Sequence, residues 1–119
     1  MNNFRKLEVW QKSVRFTTVI WNMSNSYPPV EKYGLVSQIR RSVVCISSNI
    51  AEGAGKKGTK EIFHFLRTAY GSVCEVETQL IISKNLEFIK KERFDELFQM
   101  CDEIQKMIYA LQRNLSEES

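Results

Sequence analysis

Apolar residues recur at spacings of three and four along four stretches of the chain, which predicts four helices separated by three breaks. The first is expected over about residues 5–25 and stops before Tyr27-Pro28-Pro29, because a residue preceding proline is pushed out of the helical region. The second is expected over 31–53, starting just after the prolines and ending in the run Gly53-Ala54-Gly55-Lys56-Lys57-Gly58. The third, over 59–85, takes Thr59 as its N-cap, and the fourth covers 92–115, leaving Ser116-Glu117-Glu118-Ser119 as a frayed tail. Helices of ~20 to 27 residues are ~30 to 40 Å long. The expected fold class is therefore all-α, an up-down-up-down antiparallel four-helix bundle, as a single domain over residues 1–119.

The apolar stripes are wider than one bundle core requires. On the first helix Leu7, Trp10, Val14 and Trp21 share one face, while Val9, Phe16, Ile20 and Met23 form a second stripe well over 100° away. The third helix carries a seam of Ile62, Leu66, Ala69, Val73, Val76 and Leu80, which Phe63, Tyr70, Cys74 and Ile81 widen to about half the circumference. A core-facing helix needs only ~100° of apolar arc, so the surplus has to be covered by something. The expectation is self-association into a homo-oligomer, with Val9, Phe16, Ile20, Met23, Phe63 and Tyr70 at the interface.

Composition narrows the classes. With 43% apolar, 26% charged, only five glycines and two prolines in 119 residues, collagen, Pro/Gly-rich disorder and a turn-rich β-sandwich fit poorly. The net charge of +3 permits a polyanionic partner without requiring one. No apolar run reaches the ~18 to 20 residues of a membrane span, and the opening residues lack the pattern of a signal peptide. Cys45, Cys74 and Cys101 are an odd number at wide spacing, as expected of free thiols in a reducing cytoplasm.

Candidate chemistry is sparse. The run from Gly53 to Gly58 spells G-x-G-x-x-G, but the dinucleotide fingerprint needs a strand–turn–helix within a parallel sheet, and no second strand is available. Read on to Thr59-Lys60, it resembles a P-loop with lysine and threonine in the wrong order; a helix end, a glycine turn and a new helix start account for it. A zinc site would need His64 and all three cysteines from three helices without a C-x-x-C pair, and catalysis by a triad would also have to use His64, the only histidine. No metal, cofactor or catalytic residue is expected.

The second helix is the most informative. Opposite its seam of Val36, Ile39, Val43, Ile46 and Ile50 lies a polar but short-chained face: Gln38, Arg41, Ser42, Cys45, Ser48, Asn49 and Glu52. A solvated face would favour Lys and Glu, which have higher helix propensity than Ser or Asn. Close packing between subunits, a polar ligand or nucleic-acid site, and a tolerant surface all fit. The third helix offers a comparable strip of Thr68, Ser72, Glu75 and Gln79, and Glu75 is expected to pair with Arg40 or Arg41. Lys56, Lys57, Lys60 and Arg67 cluster near one turn, Lys90, Lys91 and Arg93 near the opposite one. No recognition helix or base-stacking platform is evident.

The segments Phe4-Arg5-Lys6-Leu7-Glu8-Val9-Trp10, Tyr33-Gly34-Leu35, Gln38-Ile39-Arg40-Arg41, Asn49-Ile50-Ala51-Glu52-Gly53 and Gly71-Ser72-Val73-Cys74-Glu75 resemble the four-helix bundle proteins encoded in intervening sequences of bacterial 23S ribosomal RNA genes. The resemblance runs from Phe4 to about Leu115; one departure is Cys45-Ile46-Ser47-Ser48, where the family more often has Ser-Ile-Pro-Ala. It implies an all-α bundle assembling as a homopentamer, with motif positions Gln38, Arg41, Asn49, Glu52, Gly53, Ser72 and Glu75. It implies no defined activity; RNA or DNA binding is attached to the family through gene location and similarity to retroelement accessory proteins. The functional expectation is a non-enzymatic cytoplasmic oligomer whose partners are itself and RNA or DNA, contacted non-specifically through Arg40, Arg41, Lys56, Lys57 and Lys60. The rival is a structural assembly or protein-partner adaptor, and a third reading is an enzyme using Arg41, Asn49, Glu52 and Glu75.

Overall fold

The computed structural model describes residues 3–118, with the side chains of residues 117 and 118 left aside. Met1, Asn2 and Ser119, which the reading of 1–119 as one domain includes, lie outside the described residues. Four helices account for the fold, and no strand occurs among the described residues: α1 Glu8–Ser24, α2 Leu35–Ala54, α3 Thr59–Asn85 and α4 Lys91–Glu118. Thr17 Oγ1 donates to the Val43 carbonyl, Gln79 Nε2 to Ser42 Oγ and Gln105 Nε2 to Glu77 Oε1, so each helix runs antiparallel to the next. The body is long and narrow, 47 × 24 × 20 Å.

The ends of the helices differ from expectation where local chemistry intervenes. Residues Phe4–Lys6 form a separate 3-10 turn, because Leu7 is extended and breaks the helix between them and α1. Asn3 Oδ1 accepts from the Arg5 amide at 3.2 Å, and Gln11 Nε2 donates to the Arg5 carbonyl at 2.8 Å, which pins the turn to α1. After the prolines a second 3-10 turn, Pro29–Glu31, delays α2 to Leu35, where Glu31 Oε1 receives the Leu35 amide. That carboxylate at a helix N-terminus is the favourable sign for the helix dipole. Gly58, rather than Thr59, occupies the N-cap of α3. At its other end Glu87 takes a left-handed φ of 64°, and Phe88 N donates to Ser83 O while Glu87 N donates to Lys84 O, a Schellman ending. The helix α4 continues past Leu115 to Glu118.

The seams of α2 and α3 expected from spacing are buried throughout, but the two stripes of α1 exchange roles. Val9, Phe16, Ile20 and Met23 are core residues of the subunit itself and cannot form an interface between copies. Of the other stripe, Leu7 and Trp10 are half-buried against the core, and Val14 and Trp21 face outward, Trp21 42% exposed. The buried set 9, 13, 16, 20, 23 is an unbroken heptad run once Ser13 is counted in it. Ser13 Oγ donates to the Val9 carbonyl at 2.6 Å, so the hydroxyl is satisfied within its own helix and the small side chain packs as core.

Two glycines report on opposite environments. A Cβ at Gly53, in the last turn of α2, would stand 3.0 Å from Phe65 Cβ and 3.4 Å from the Ile62 carbonyl; at Gly71, midway along α3, it would meet nothing within 4 Å. Gly53→Val is expected to destabilise the fold by about 1–3 kcal/mol through overpacking. Gly71→Ala should instead stabilise it by about 0.5–1 kcal/mol, since a mid-helix glycine costs entropy without a packing return. Urea unfolding of the two variants checks both signs.

Tyr27, just before the prolines, buries its ring and donates its hydroxyl to Ser83 Oγ at 2.7 Å, and Ser83 passes its own proton to the Gln79 carbonyl at 2.7 Å. Burial raises the phenol above its ordinary 10.0, against the lowering effect of the Ser83 bond. Its contribution is thus fully present below pH 10 and is lost as pH rises through the folded-state value. Tyr27→Phe should flatten that alkaline fall in melting temperature and cost about 1 kcal/mol at neutral pH.

Candidate functional site

The short-chained polar face of α2 divides: Ser42 packs inside the subunit, while Gln38, Arg41, Ser48 and Glu52 are exposed. Ser42 and Ser72 are buried between α2 and α3, and Gly53 lets the two helices converge at their turn. Gln79, only 9% exposed, donates to Ser42 Oγ at 3.1 Å, and Ser42 donates to Glu75 Oε2 at 3.3 Å. Glu75 therefore takes a serine partner instead of Arg40 or Arg41, and the expected ion pair is absent. Asn49 Nδ2 is spent on the Cys45 carbonyl of its own helix at 2.8 Å, while Gln38, Arg41 and Glu52 remain exposed. Arg41 and Glu52 stand eleven residues apart on one helix, or ~16 Å, so Arg41, Asn49, Glu52 and Glu75 are strung along a surface and do not surround one reacting atom.

Arg40 points the other way, over the C-terminus of α1. Its Nε donates to Ser24 Oγ at 2.8 Å, its Nη2 to the Trp21 carbonyl at 3.2 Å and to Asn25 Oδ1 at 2.8 Å, and the guanidinium lies 4.8 Å from the Trp21 ring centre. A cation at the carbonyl end of a helix satisfies otherwise orphaned acceptors and the dipole together. Arg40 is thus occupied as a cap and stands apart from the cations to which it was grouped by sequence.

Those cations gather at the other end of the bundle. The N-terminal 3-10 turn packs against α2, bringing Arg5 and Lys6 to the end that carries Lys56, Lys57 and Lys60. Spacing alone could not unite them, because Arg5 and Lys6 precede the core helices by a break in the chain path. Lys6, Lys57 and Lys60 make no ion pair among the described residues, and Lys56 has only Glu52 at 3.9 Å and the Phe65 ring at 5.3 Å. Elsewhere some cations are matched, Lys91 with Asp95 at 2.9 Å, Arg93 with Glu96 at 2.9 Å, Lys106 with Asp102 at 3.0 Å and Lys12 with Glu103, while Arg15, Lys32, Arg41, Lys84 and Lys90 are dispersed and make no ion pair among the described residues. Acids at the same end include Glu8, Glu52 and Glu61, and α4 ends there at Glu117 and Glu118.

From that end a shallow furrow climbs between α3 and α4. Its lower well, about 280 Å³, is lined by Phe63, Arg67, Tyr109, Gln112, Arg113 and Ser116, and a second of about 250 Å³ by Tyr70, Asp102, Gln105, Lys106 and Tyr109. Phe63 and Tyr70, expected at an interface, both line it; Tyr70 is 38% and Tyr109 60% exposed. Tyr109 and Arg113 were missed by a reading that weighed α4 only at its start, although their spacing from Lys106 is visible in the sequence. No group of three or more His, Cys, Asp or Glu among the described residues is placed to hold a metal ion. Cys45, Cys74 and Cys101 are free thiols, and burial pushes Cys101 well above the usual thiol range. No helix of the described residues is long and apolar enough to cross a membrane.

Residues 5–110 match the family model described as 23S rRNA-intervening sequence protein. The fold is similar to a crystal structure from Bacteroides thetaiotaomicron VPI-5482, a protein with unknown function from the S23 ribosomal protein family. The two share 24% identity over 88% of this chain and 95% of that one, with a TM-score of 0.82. No curated protein matches.

The capping role of Arg40 has a measurable consequence. Arg40→Ala should lower the unfolding free energy by about 2 kcal/mol, and Arg40→Lys should recover less than half, because lysine lacks the planar fork and the stacking surface. Chemical denaturation of the three proteins tests it.

Proposed function

Because the chain belongs to the 23S rRNA-intervening sequence protein family, we propose that it is a non-enzymatic homo-oligomeric bundle that holds RNA or DNA by phosphate contacts at its basic end. The observation that carries this reading is a local gathering of cations: Arg5, Lys6, Lys57 and Lys60 stand at one end of the bundle, beside Lys56, without ion-pair partners among the described residues. Unneutralised cations attract a polyanion by releasing its counterions, which gives affinity without base reading. Arg5, Lys6, Lys56, Lys57 and Lys60 are the contact set, with Arg41 an exposed addition on α2 and Arg40 withdrawn from it.

Self-association is supported by apolar side chains left outside the core. Val14, Trp21 and Val44 are exposed on the α1–α2 side, where a second copy would cover them. The assembly is a pentamer on the family resemblance, and repetition would multiply the +3 of a single chain around a common axis.

Light scattering should give a mass several-fold above 13.9 kDa. Fluorescence anisotropy should show affinity for RNA or DNA that falls roughly hundred- to five-hundred-fold between about 50 and 200 mM salt, as five phosphate contacts imply. The combined substitution Lys56→Glu, Lys57→Glu, Lys60→Glu should abolish binding and leave the mass unchanged. An oligomer that ignores every nucleic acid at low salt would replace this reading with a structural assembly or protein-partner adaptor.

A further inference from the structure

The two helices that wall the furrow carry the same alternation of cation and ring. On α3 the stripe reads Lys60, Phe63, Arg67, Tyr70, at intervals of three, four and three residues, which keeps all four on one side of the helix. Facing it on α4 are Lys106, Tyr109 and Arg113, at intervals of three and four. The two rows meet, since Tyr109 lines both wells and shares one with Phe63 and Arg67 and the other with Tyr70. Arg67 lies 5.9 Å from the Phe63 ring centre, so cation and ring already touch within a row.

This arrangement has no evident use in the core. Tyr109 and Tyr70 expose 60% and 38% of their surface, and neither hydroxyl has a hydrogen-bond partner among the described residues. Solvent-facing rings flanked by cations are what a flexible polyanion with flat hydrophobic faces requires, because the bases stack on the rings while the phosphates lie beside the charges. A duplex cannot use the rings, since its bases are already stacked and only its phosphates face outward. Among the described residues the one acid lining the furrow wells is Asp102, held by Lys106 in an exposed pair at 3.0 Å that a phosphate can displace. The seven-residue step from Phe63 to Tyr70 spans ~10 Å along the helix axis, room for about two stacked nucleotides.

We propose that the α3–α4 furrow is a track for single-stranded nucleic acid, entered from the basic end at Lys60, with bases stacking on Tyr70 and Tyr109 and phosphates held by Arg67 and its neighbours. The inference rests on the nucleic-acid reading above and adds strand preference and path. The basic end supplies affinity for any polyanion; the furrow distinguishes single strand from duplex.

The test compares the native protein, the Tyr70→Ala/Tyr109→Ala double variant and the Tyr70→Phe/Tyr109→Phe double variant. Each is titrated into labelled oligouridine, oligodeoxythymidine and an RNA duplex of equal length. The alanine pair should weaken both single strands by at least roughly tenfold and leave the duplex within about twofold, while the phenylalanine pair behaves as the native protein. Unchanged single-strand binding by the alanine pair, or equal weakening of single strand and duplex, overturns the track and leaves the basic-end reading intact. A drop in oligomer mass in the alanine pair also overturns it, since the furrow would then be an interface between copies. Absence of all binding by the native protein removes both readings together.

Discussion

Everything in this bundle is arranged around the close approach of α2 and α3. Two long helices converge only if the residues between them are small or if their polar atoms are answered locally. Ser42, Ser72 and Gly53 meet the first condition, and the Gln79–Ser42–Glu75 chain of hydrogen bonds meets most of the second. One atom is left over: Gln79 Oε1 is buried without a partner. With this pair fixed, α1 and α4 complete the core by laying larger side chains, Phe16, Ile20, Leu97, Ile104 and Ile108, into the remaining space. The α2–α3 pair is therefore the frame that sets where every surface residue points.

That frame explains why the polar strip of α2 resists reading as a site. Its inner members, Ser42 and Gly53, belong to helix packing, and its outer members reach solvent at different heights of the bundle. Polar side chains in a row along a helix are not convergent, whatever their chemistry, unless a neighbouring element curves round them. The α3–α4 side is different, because two rows of long side chains face each other across a furrow and can act on one ligand together.

Much of the fold was legible from spacing: the limits of α3, the breaks at the prolines and at the glycine turn, and the seams of α2 and α3 all follow from apolar period and helix termination. The misassigned face of α1 shows where such reading stops. Trp10, Val14 and Trp21 are large and regularly spaced and draw the eye from a seam interrupted by Ser13, yet Ser13 carries its own hydrogen-bond acceptor in the Val9 carbonyl and costs the core little. Arg40 was misplaced for a related reason. Sequence shows a cation next to another cation, whereas its destination depends on where the α1–α2 connection returns the chain, within reach of Ser24 and Asn25. The basic end was half visible, since Lys56, Lys57 and Lys60 are local but Arg5 and Lys6 join them only through folding. Charge pairing was legible in principle, because the matched acids of α4 sit three or four residues from their cations, as Asp95 does from Lys91.

The geometry also constrains how assembly and binding can coexist. Trp21, Val14 and Val44 lie on the α1–α2 side and Tyr70 and Tyr109 on the α3–α4 side, so these two groups of exposed apolar side chains occupy different flanks of one slender body about 20 Å deep. An oligomer closed through the first flank leaves the second facing outward or toward a central axis. A two-fold dimer with its axis across the bundles would set the basic ends apart, whereas a cyclic ring with the bundles standing along its axis would bring them to one face. Charges repeated in that way add along one rim, while the paired cations of α4 add almost nothing, because each already has its acid. In the proposed ring a modest excess of charge in the single chain would thus become a directional field, strongest at the end that carries Lys57 and Lys60.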